Sequence, residues 1–209
     1  MPASSPNRGN NSRRQTSTWL PSNVVTVAAG AKRGISGLLR FRRAVPADVG
    51  SIVSLVNTAY RGENLGGWTT EAHLVGVRRA DAEVVQEILA TPSSLIILAE
   101  IGSSLAGCVQ LTKRDGAIEL GMLAVQPELQ DQGIGRSIMR EAEQICRNEL
   151  GATEIRMQVL YMRDDIIAWY ERLGYRRNGE RAPFPYGDER VGVPQRADLE
   201  FAVLTKALD

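Results

Sequence analysis

The chain has 209 residues, 43% of them hydrophobic, with two cysteines, one histidine and 25 basic against 24 acidic side chains, a formal net charge of +1. That length suits one globular domain with a tail, and the balance of charge excludes a nucleic-acid binder driven by bulk positive charge as well as an acidic, mostly disordered chain. With only His73, Cys108 and Cys146 to offer, no His/Cys zinc site of ordinary spacing is expected and no metal role is assigned; Ser-His-Asp or Cys-His chemistry would hang on His73 alone, and no apolar run approaches the roughly 20 residues of a membrane span.

Along the chain the charge is unevenly placed. Residues 1–47 carry eight basic side chains and no acid, so the remainder holds 17 bases against 24 acids, a net charge of −7. Residues 1–40 read as a disordered basic tail: the opening MPASSPNRGNNSRRQTST is rich in Ser, Asn, Pro and Arg, with too little apolar content to offset the entropy of ordering. The same acid-free, Arg- and Ser-rich composition is that of a transit peptide. Val24 to Leu39 is apolar enough for a short amphipathic helix, weakened by Gly30, Gly34 and Gly37. Cys108 and Cys146 fall in apolar patterns and read as reduced core thiols. The expected setting is therefore cytoplasmic, or mitochondrial if the tail is a transit peptide.

The folded domain is expected over residues 41–209. FRRAVPADV reads as a strand running into a turn at Pro46, with Asp48 as N-cap of a helix carrying Ile52, Leu55, Val56 and Ala59. After the loop RGENLGGWTT, Thr69 or Thr70 would cap a second helical region through Leu74 and Val77, and Asp81 a third through Val84, Val85, Ile88 and Leu89 that ends near Pro92. LIILAE and LAGCVQL, joined by IGSS, form a hairpin. Ala117 to Val125 is another strand. A helix with apolar positions Ile134, Ile138, Ala142, Ile145 and Cys146 follows and ends at Gly151. Glu154 to Leu160 is a strand, Asp164 or Asp165 opens a helix that stops at Gly174, Tyr175 begins a short strand, and LEFAVLTKAL supplies the last. This order predicts a mixed α/β sheet with strand-helix-strand crossovers.

The segment LAVQPELQDQGIGRSIM is the most informative. A buried strand ends at Val125, Pro127 turns the chain, and Gly133 and Gly135 open a helix, so backbone N–H groups converge where no intrahelical acceptor exists. Glycine lets an anion approach that backbone, and the helix dipole favours negative charge there. The pattern departs from a Rossmann fingerprint, since Ile138 stands where the third glycine belongs, and it lacks the G-K-[ST] of a P-loop.

LAVQPELQDQGIG, with its Q-x-x-G-x-G turn at Gln130, Gly133 and Gly135, and IIAWYERLGY, Ile166 to Tyr175, together resemble the GNAT superfamily of N-acetyltransferases. The resemblance spans about residues 41 to 208. It implies a mostly antiparallel mixed sheet flanked by helices, and acetyl-CoA as co-substrate. By resemblance, the pyrophosphate would rest on Gln132, Gly133, Ile134, Gly135 and Arg136 with Ser137 near and Gln130 opening the turn. Leu123, Ala124 and Val125 would line the pantetheine arm through their backbone. Tyr170 takes the place of the family's general acid; its phenol, with an ordinary pKa of about 10, is protonated at neutral pH. Glu119, four residues before Leu123, holds the position of a catalytic glutamate. Period-2 alternation sets Glu119, Gly121, Leu123 and Val125 on one face, and Glu119 or an ordered water is the base; Glu63 and Glu71 are rival acids. The chain departs from the family at Asp131, which adds negative charge beside the phosphates, and at Arg163, where the family often has Asn.

For the acceptor, Trp68, Thr69, Glu71 and Tyr186, with Phe184 and Asp188, form a mix of aromatics and acids that would suit a cationic amine, either a small molecule or a peptide. His73 reads as structural. The leading expectation is an N-acetyltransferase that transfers acetyl directly in a ternary complex, with no nucleic-acid or membrane partner. The alternatives are a non-catalytic acyl-CoA-binding sensor or regulatory module, and a nucleic-acid or membrane module acting through the basic tail.

Overall fold

The computed structural model describes residues 38–61, 74–76, 80–188 and 192–209. The expected tail, its short helix up to Gly37, the loop with Trp68, Thr69 and Glu71, and His73 and Glu63 lie outside these. Nine strands and four helices follow in the order β1 (Leu39–Arg43), α1 (Val49–Arg61), β2 (Val75–Gly76), α2 (Ala82–Ala90), β3 (Ser94–Ile101), β4 (Ser104–Arg114), β5 (Ala117–Val125), α3 (Ile134–Asn148), β6 (Glu154–Leu160), α4 (Asp164–Arg172), β7 (Arg176–Pro183), β8 (Val193–Pro194) and β9 (Glu200–Ala207).

Seven strands form one sheet in the order β1-β3-β4-β5-β6-β9-β7, and β2 pairs with β8 in a separate ribbon. Every pair is antiparallel except β5 with β6, the two strands joined by the α3 crossover. The expected mixed, mostly antiparallel sheet is present. Gly102 turns the β3–β4 hairpin at φ 61. Asp115 and Gly116 turn the β4–β5 hairpin with φ 48 and 85, the Asp-Gly chemistry that suits a two-residue hairpin turn.

Helices cover both faces. On one, Ile52, Leu55, Val56 and Ala59 of α1 and Val85 and Ile88 of α2 pack on Ile96, Leu98, Cys108, Met122 and Ala124. On the other, Ile134, Ile138, Ala142 and Ile145 of α3 and Ile166 and Ile167 of α4 pack on Ile97, Val109, Ile118, Leu120, Leu123 and Val125. The periodic apolar positions read from the sequence are these buried stripes.

Local expectations differ in three places. The first strand begins at Leu39, so Leu39 pairs with Ile101 rather than ending a helix. Asp48 does not cap α1; it closes a single 3-10 turn, Pro46–Asp48, and its carboxylate accepts from the Val45 N–H at 2.8 Å and from Arg42 at 2.7 and 2.8 Å. A nearby guanidinium outcompetes the helix amides for this carboxylate. The second helical region fails at Leu74, which lies in a turn, and beyond it Val75 and Gly76 are extended and pair with Pro194 and Val193; a two-residue strand is too short to show a period. Asp81 caps α2 as expected, accepting from the Val84 N–H at 2.9 Å.

Candidate functional site

The turn after β5 is built by local side-chain bonds. Gln130 Nε2 donates back to the Val125 carbonyl at 3.3 Å, and Gln132 Nε2 to the Glu128 carbonyl at 3.2 Å. Asp131 and Gly133 take left-handed φ of 62 and 80, a conformation that is inexpensive at glycine and costs about 1 kcal/mol or more elsewhere. Gly133 is the N-cap of α3, with no side-chain cap and no acid in the first turn. The N–H groups of Gly133, Ile134, Gly135 and Arg136 therefore precede the first intrahelical acceptor. Their convergence, with the helix dipole, makes an anion cradle.

Ser137 stands one residue beyond these amides. Its N–H donates to the Gly133 carbonyl at 3.0 Å and its hydroxyl to the same oxygen at 3.2 Å, so both donors turn inward. Below the cradle, α3 presses on β4 at Gly107, where a Cβ would meet Ile138 Cδ1 at 2.6 Å and the Ala124 carbonyl at 2.7 Å. That contact fixes the helix end against the sheet.

Beside the cradle, β5 is irregular. Cys108 pairs with Ala124 but Gln110 with Gly121, so Val109 faces two residues, Met122 and Leu123, across a β-bulge. Met122 has φ 48, a strained value for a long side chain, and such strain persists only where the surroundings impose it. The surroundings do so here: Tyr60 Oη donates to the Leu123 carbonyl at 3.2 Å, and Cys108 Sγ lies 3.5 Å from the Met122 carbonyl.

The bulge corrects an expectation. Ile118, Leu120, Leu123 and Val125 all face α3 and α4, whereas Met122 and Ala124 face α1 and α2. Glu119 and Gly121, alternating with Ile118 and Leu120, thus share the α1/α2 face and not the face of Leu123 and Val125. One inserted residue reverses the parity of everything beyond it.

The parallel pairing of β5 with β6 covers only Ile118 with Ile155 and Glu119 with Arg156. Beyond Glu119 the ladder stops, leaving the bulge of β5 at a break in the sheet. Tyr170, fully buried on α4, belongs to the α3/α4 side with Leu123. Its ring is held edge-on by Trp169 at 4.9 Å and Tyr175 at 5.7 Å. Glu119 stands on the opposite side, its side chain 16% exposed and its Oε2 3.7 Å from Arg114 Nε. Thr112 is its cross-strand partner, bonded in turn by Gln110 Nε2 at 3.1 Å and Ser94 Oγ at 2.9 Å. Gln110 is 2% exposed, and its Oε1 has no hydrogen-bond partner among the described residues. A buried polar atom in that condition marks a place for water or ligand.

Of the expected acceptor residues, Phe184, Tyr186 and Asp188 are among those described, and Tyr186 joins two loop segments. Its hydroxyl accepts from the Leu199 N–H at 2.6 Å and donates to the Arg196 carbonyl at 3.2 Å, pinning two loop segments. Its ring is 47% exposed and lines a cavity of about 530 Å³ with Tyr161, Met162, Arg181, Phe184 and Asp198. Phe184 is buried, stacked on Phe201 at 5.6 Å. Arg181 lies 3.8 Å over the Tyr161 ring and pairs with Glu200 at 2.8 Å, as Arg196 pairs with Asp198 at 2.7 Å.

Sequence reasoning missed Tyr60, Gln110, Tyr161 and Arg181. Tyr60 lies four residues beyond Val56, on the helical stripe already read, and that spacing was the available signal. No pattern marked the other three.

Among the described residues no group of three or more His, Cys, Asp or Glu side chains is placed to hold a metal ion, and no helix is long and apolar enough to cross a membrane. Residues 63–175 match the acetyltransferase (GNAT) family. Among solved structures, the chain is similar to the ribosomal-protein-S18-alanine N-acetyltransferase of Escherichia coli, with TM-score 0.61 and 13% identity over 82% of this chain and 94% of that one. It is similar also to a spermidine N-acetyltransferase of Vibrio cholerae in complex with CoA and spermine, with TM-score 0.60 and 15% identity over 82% and 96%. A GNAT-family acetyltransferase of Desulfovibrio desulfuricans gives TM-score 0.59 and 20% identity over 82% and 99%. No curated protein matches in sequence.

Proposed function

The chain belongs to the GNAT family of acetyltransferases, and on that premise we propose that it moves an acetyl group from acetyl-CoA to a primary amine by direct transfer while both substrates are bound. It is an acyltransferase with acetyl-CoA as co-substrate. The observation that carries the reading is the break between β5 and β6, with a buried phenol on one side of the sheet and a carboxylate on the other.

The donor set fits the cofactor. Four first-turn amides with no competing cap or acid suit a pyrophosphate, and Asp131, in the turn before them, opposes it. Leu123, Ala124 and Val125 offer strand backbone to the pantetheine arm. The Leu123 N–H shares its peptide plane with the Met122 carbonyl, which lies 3.5 Å from Cys108 Sγ, while the Leu123 carbonyl on the following peptide is held by Tyr60. That N–H is the group we assign to the thioester oxygen.

The transfer forms a bond between the amine nitrogen and the thioester carbonyl carbon and breaks the carbon–sulfur bond. Tyr170 gives its phenolic proton to the departing thiolate, and the proton lost by the amine goes to Glu119, directly or through water. Because acid and base stand on opposite sides of the break, cofactor and acceptor approach from different faces. No covalent enzyme intermediate is needed.

For the acceptor we propose a cationic amine, a small molecule or a peptide. The carboxylates at the Tyr186 cavity are already paired with arginines, so the attraction comes from the field of a domain at −7 beyond residue 47. The buried, free thiols Cys108 and Cys146 support a cytoplasmic setting, or a mitochondrial one if residues 1–40 act as a transit peptide. A test that separates enzyme from binding module is thiol release across a panel of amines beside calorimetric binding of CoA. Release with at least one amine supports the enzyme, and binding with no release under any amine supports the sensor.

A further inference from the structure

Gln110 carries an amide into an apolar place. It stands on β4 between Cys108 and Thr112, on the face that α1 and α2 cover, and is 2% exposed. Its neighbours across the sheet are Ile96 of β3 and Gly121 of β5. One end of the amide is engaged, Nε2 donating to Thr112 Oγ1 at 3.1 Å. The other end, Oε1, has no hydrogen-bond partner among the described residues. Ile96 brings no donor and Gly121 no side chain, so the place beside Oε1 on the β5 side suits a small polar guest.

That place lies between the carboxylate assigned as base and the peptide assigned to the thioester. Glu119 faces Thr112 across the ladder and is therefore the diagonal neighbour of Gln110, with Cβ atoms about 7 Å apart. An amide oxygen and a carboxylate are both acceptors and cannot bond each other, whereas one water donates to both. Glu119 and Leu123 stand four residues apart on β5, about 10 Å or more along a strand, which is farther than a glutamate side chain reaches. We propose that Gln110 is a positioning residue that holds a water between its Oε1 and the Glu119 carboxylate, and that this water carries the acceptor's proton to Glu119. This rests on the reading of Glu119 as the base. With both its hydrogens committed, the water turns a lone pair to the acceptor. The acceptor's ammonium gives a proton to the water oxygen as the water's own proton passes to Glu119. The amine keeps the lone pair that attacks the thioester carbon, the water is regenerated, Glu119 ends neutral, and the amide of Gln110 exchanges no proton.

The test is Gln110→Met, which keeps the volume and removes the acceptor, assayed alone and together with Glu119→Gln over a range of pH. The single variant is expected to lower kcat/KM for the amine about tenfold near neutral pH, a fraction of what a general base supplies. The loss should shrink as the pH nears the amine's own pKa, about 10 for an alkylamine, with the KM for acetyl-CoA unchanged. Added to Glu119→Gln it should cost nothing further, because both changes cut one relay. A side chain that only packs would slow the enzyme equally at every pH and add its loss to that of Glu119→Gln. A crystal structure of the wild type should show a water within about 3 Å of both Gln110 Oε1 and Glu119, absent from Gln110→Met; a dry site overturns the proposal whether or not any amine is turned over. Glu119→Gln at the wild-type rate overturns the base reading and this proposal with it. Glu119→Gln impaired beside Gln110→Met at the wild-type rate, or with a loss independent of pH, overturns the proposal alone.

Discussion

Tyr60, at the end of the first helix, donates its phenolic hydrogen to the carbonyl of Leu123 at 3.2 Å, across the sheet face opposite α3 and α4. Leu123 follows the strained Met122, so this bond helps hold the bulge that orients the thioester site. In Tyr60→Phe the ring still fills its buried place, while the carbonyl loses its partner. Stability is expected to fall by about 1–2 kcal/mol, with a drop in kcat and little change in the KM for acetyl-CoA, read from urea unfolding and initial rates.

Tyr170→Phe keeps the edge contacts with Trp169 and Tyr175 and removes only the proton donor. The expected loss is about 10²-fold in kcat, the usual worth of a positioned general acid, with an unchanged melting temperature. A variant that turns over at the wild-type rate would remove Tyr170 from the chemistry.

Glu119→Gln is expected to lower kcat/KM by about 10²-fold near neutral pH. The loss should shrink as the pH rises toward the pKa of the acceptor, since an amine already neutral needs no base. A pH–rate profile with one amine checks this, and a loss constant with pH would assign Glu119 a structural role instead.

The Arg42 guanidinium, bonded to Asp48 and Glu100, holds the Asp48 carboxyl below its ordinary range. A group with a depressed folded pKa stabilises the fold above its unfolded pKa, about 3.9, and that contribution is lost as pH falls through the folded value. Arg42→Gln should therefore melt below the wild type at pH 7, and the gap should close below about pH 4. Melting curves at several pH values test the sign.

Much of this fold was legible because its signals are local. The β3–β4 hairpin, the Asp81 cap and the apolar stripes of α1, α3 and α4 follow from spacing and cap chemistry. Gly133 was readable as the cradle for the same reason. What was not legible depends on distant partners: β9 inserts between β6 and β7, and the Met122 bulge is imposed by the register against β4, so simple alternation put Glu119 on the wrong face. The Asp48 carboxylate was misread as a cap because Arg42 reaches it from β1. Ser137, expected near the phosphates, bonds the Gly133 carbonyl within the helix, which only the folded turn reveals.

Direct transfer between two bound substrates is the central claim, and initial rates of thiol release over a matrix of acetyl-CoA and amine concentrations test it most directly. Intersecting double-reciprocal lines, with no thiol released until amine is added, are the predicted result. Parallel lines, together with a stoichiometric burst of thiol from acetyl-CoA alone, would contradict it by showing an acetyl-enzyme intermediate.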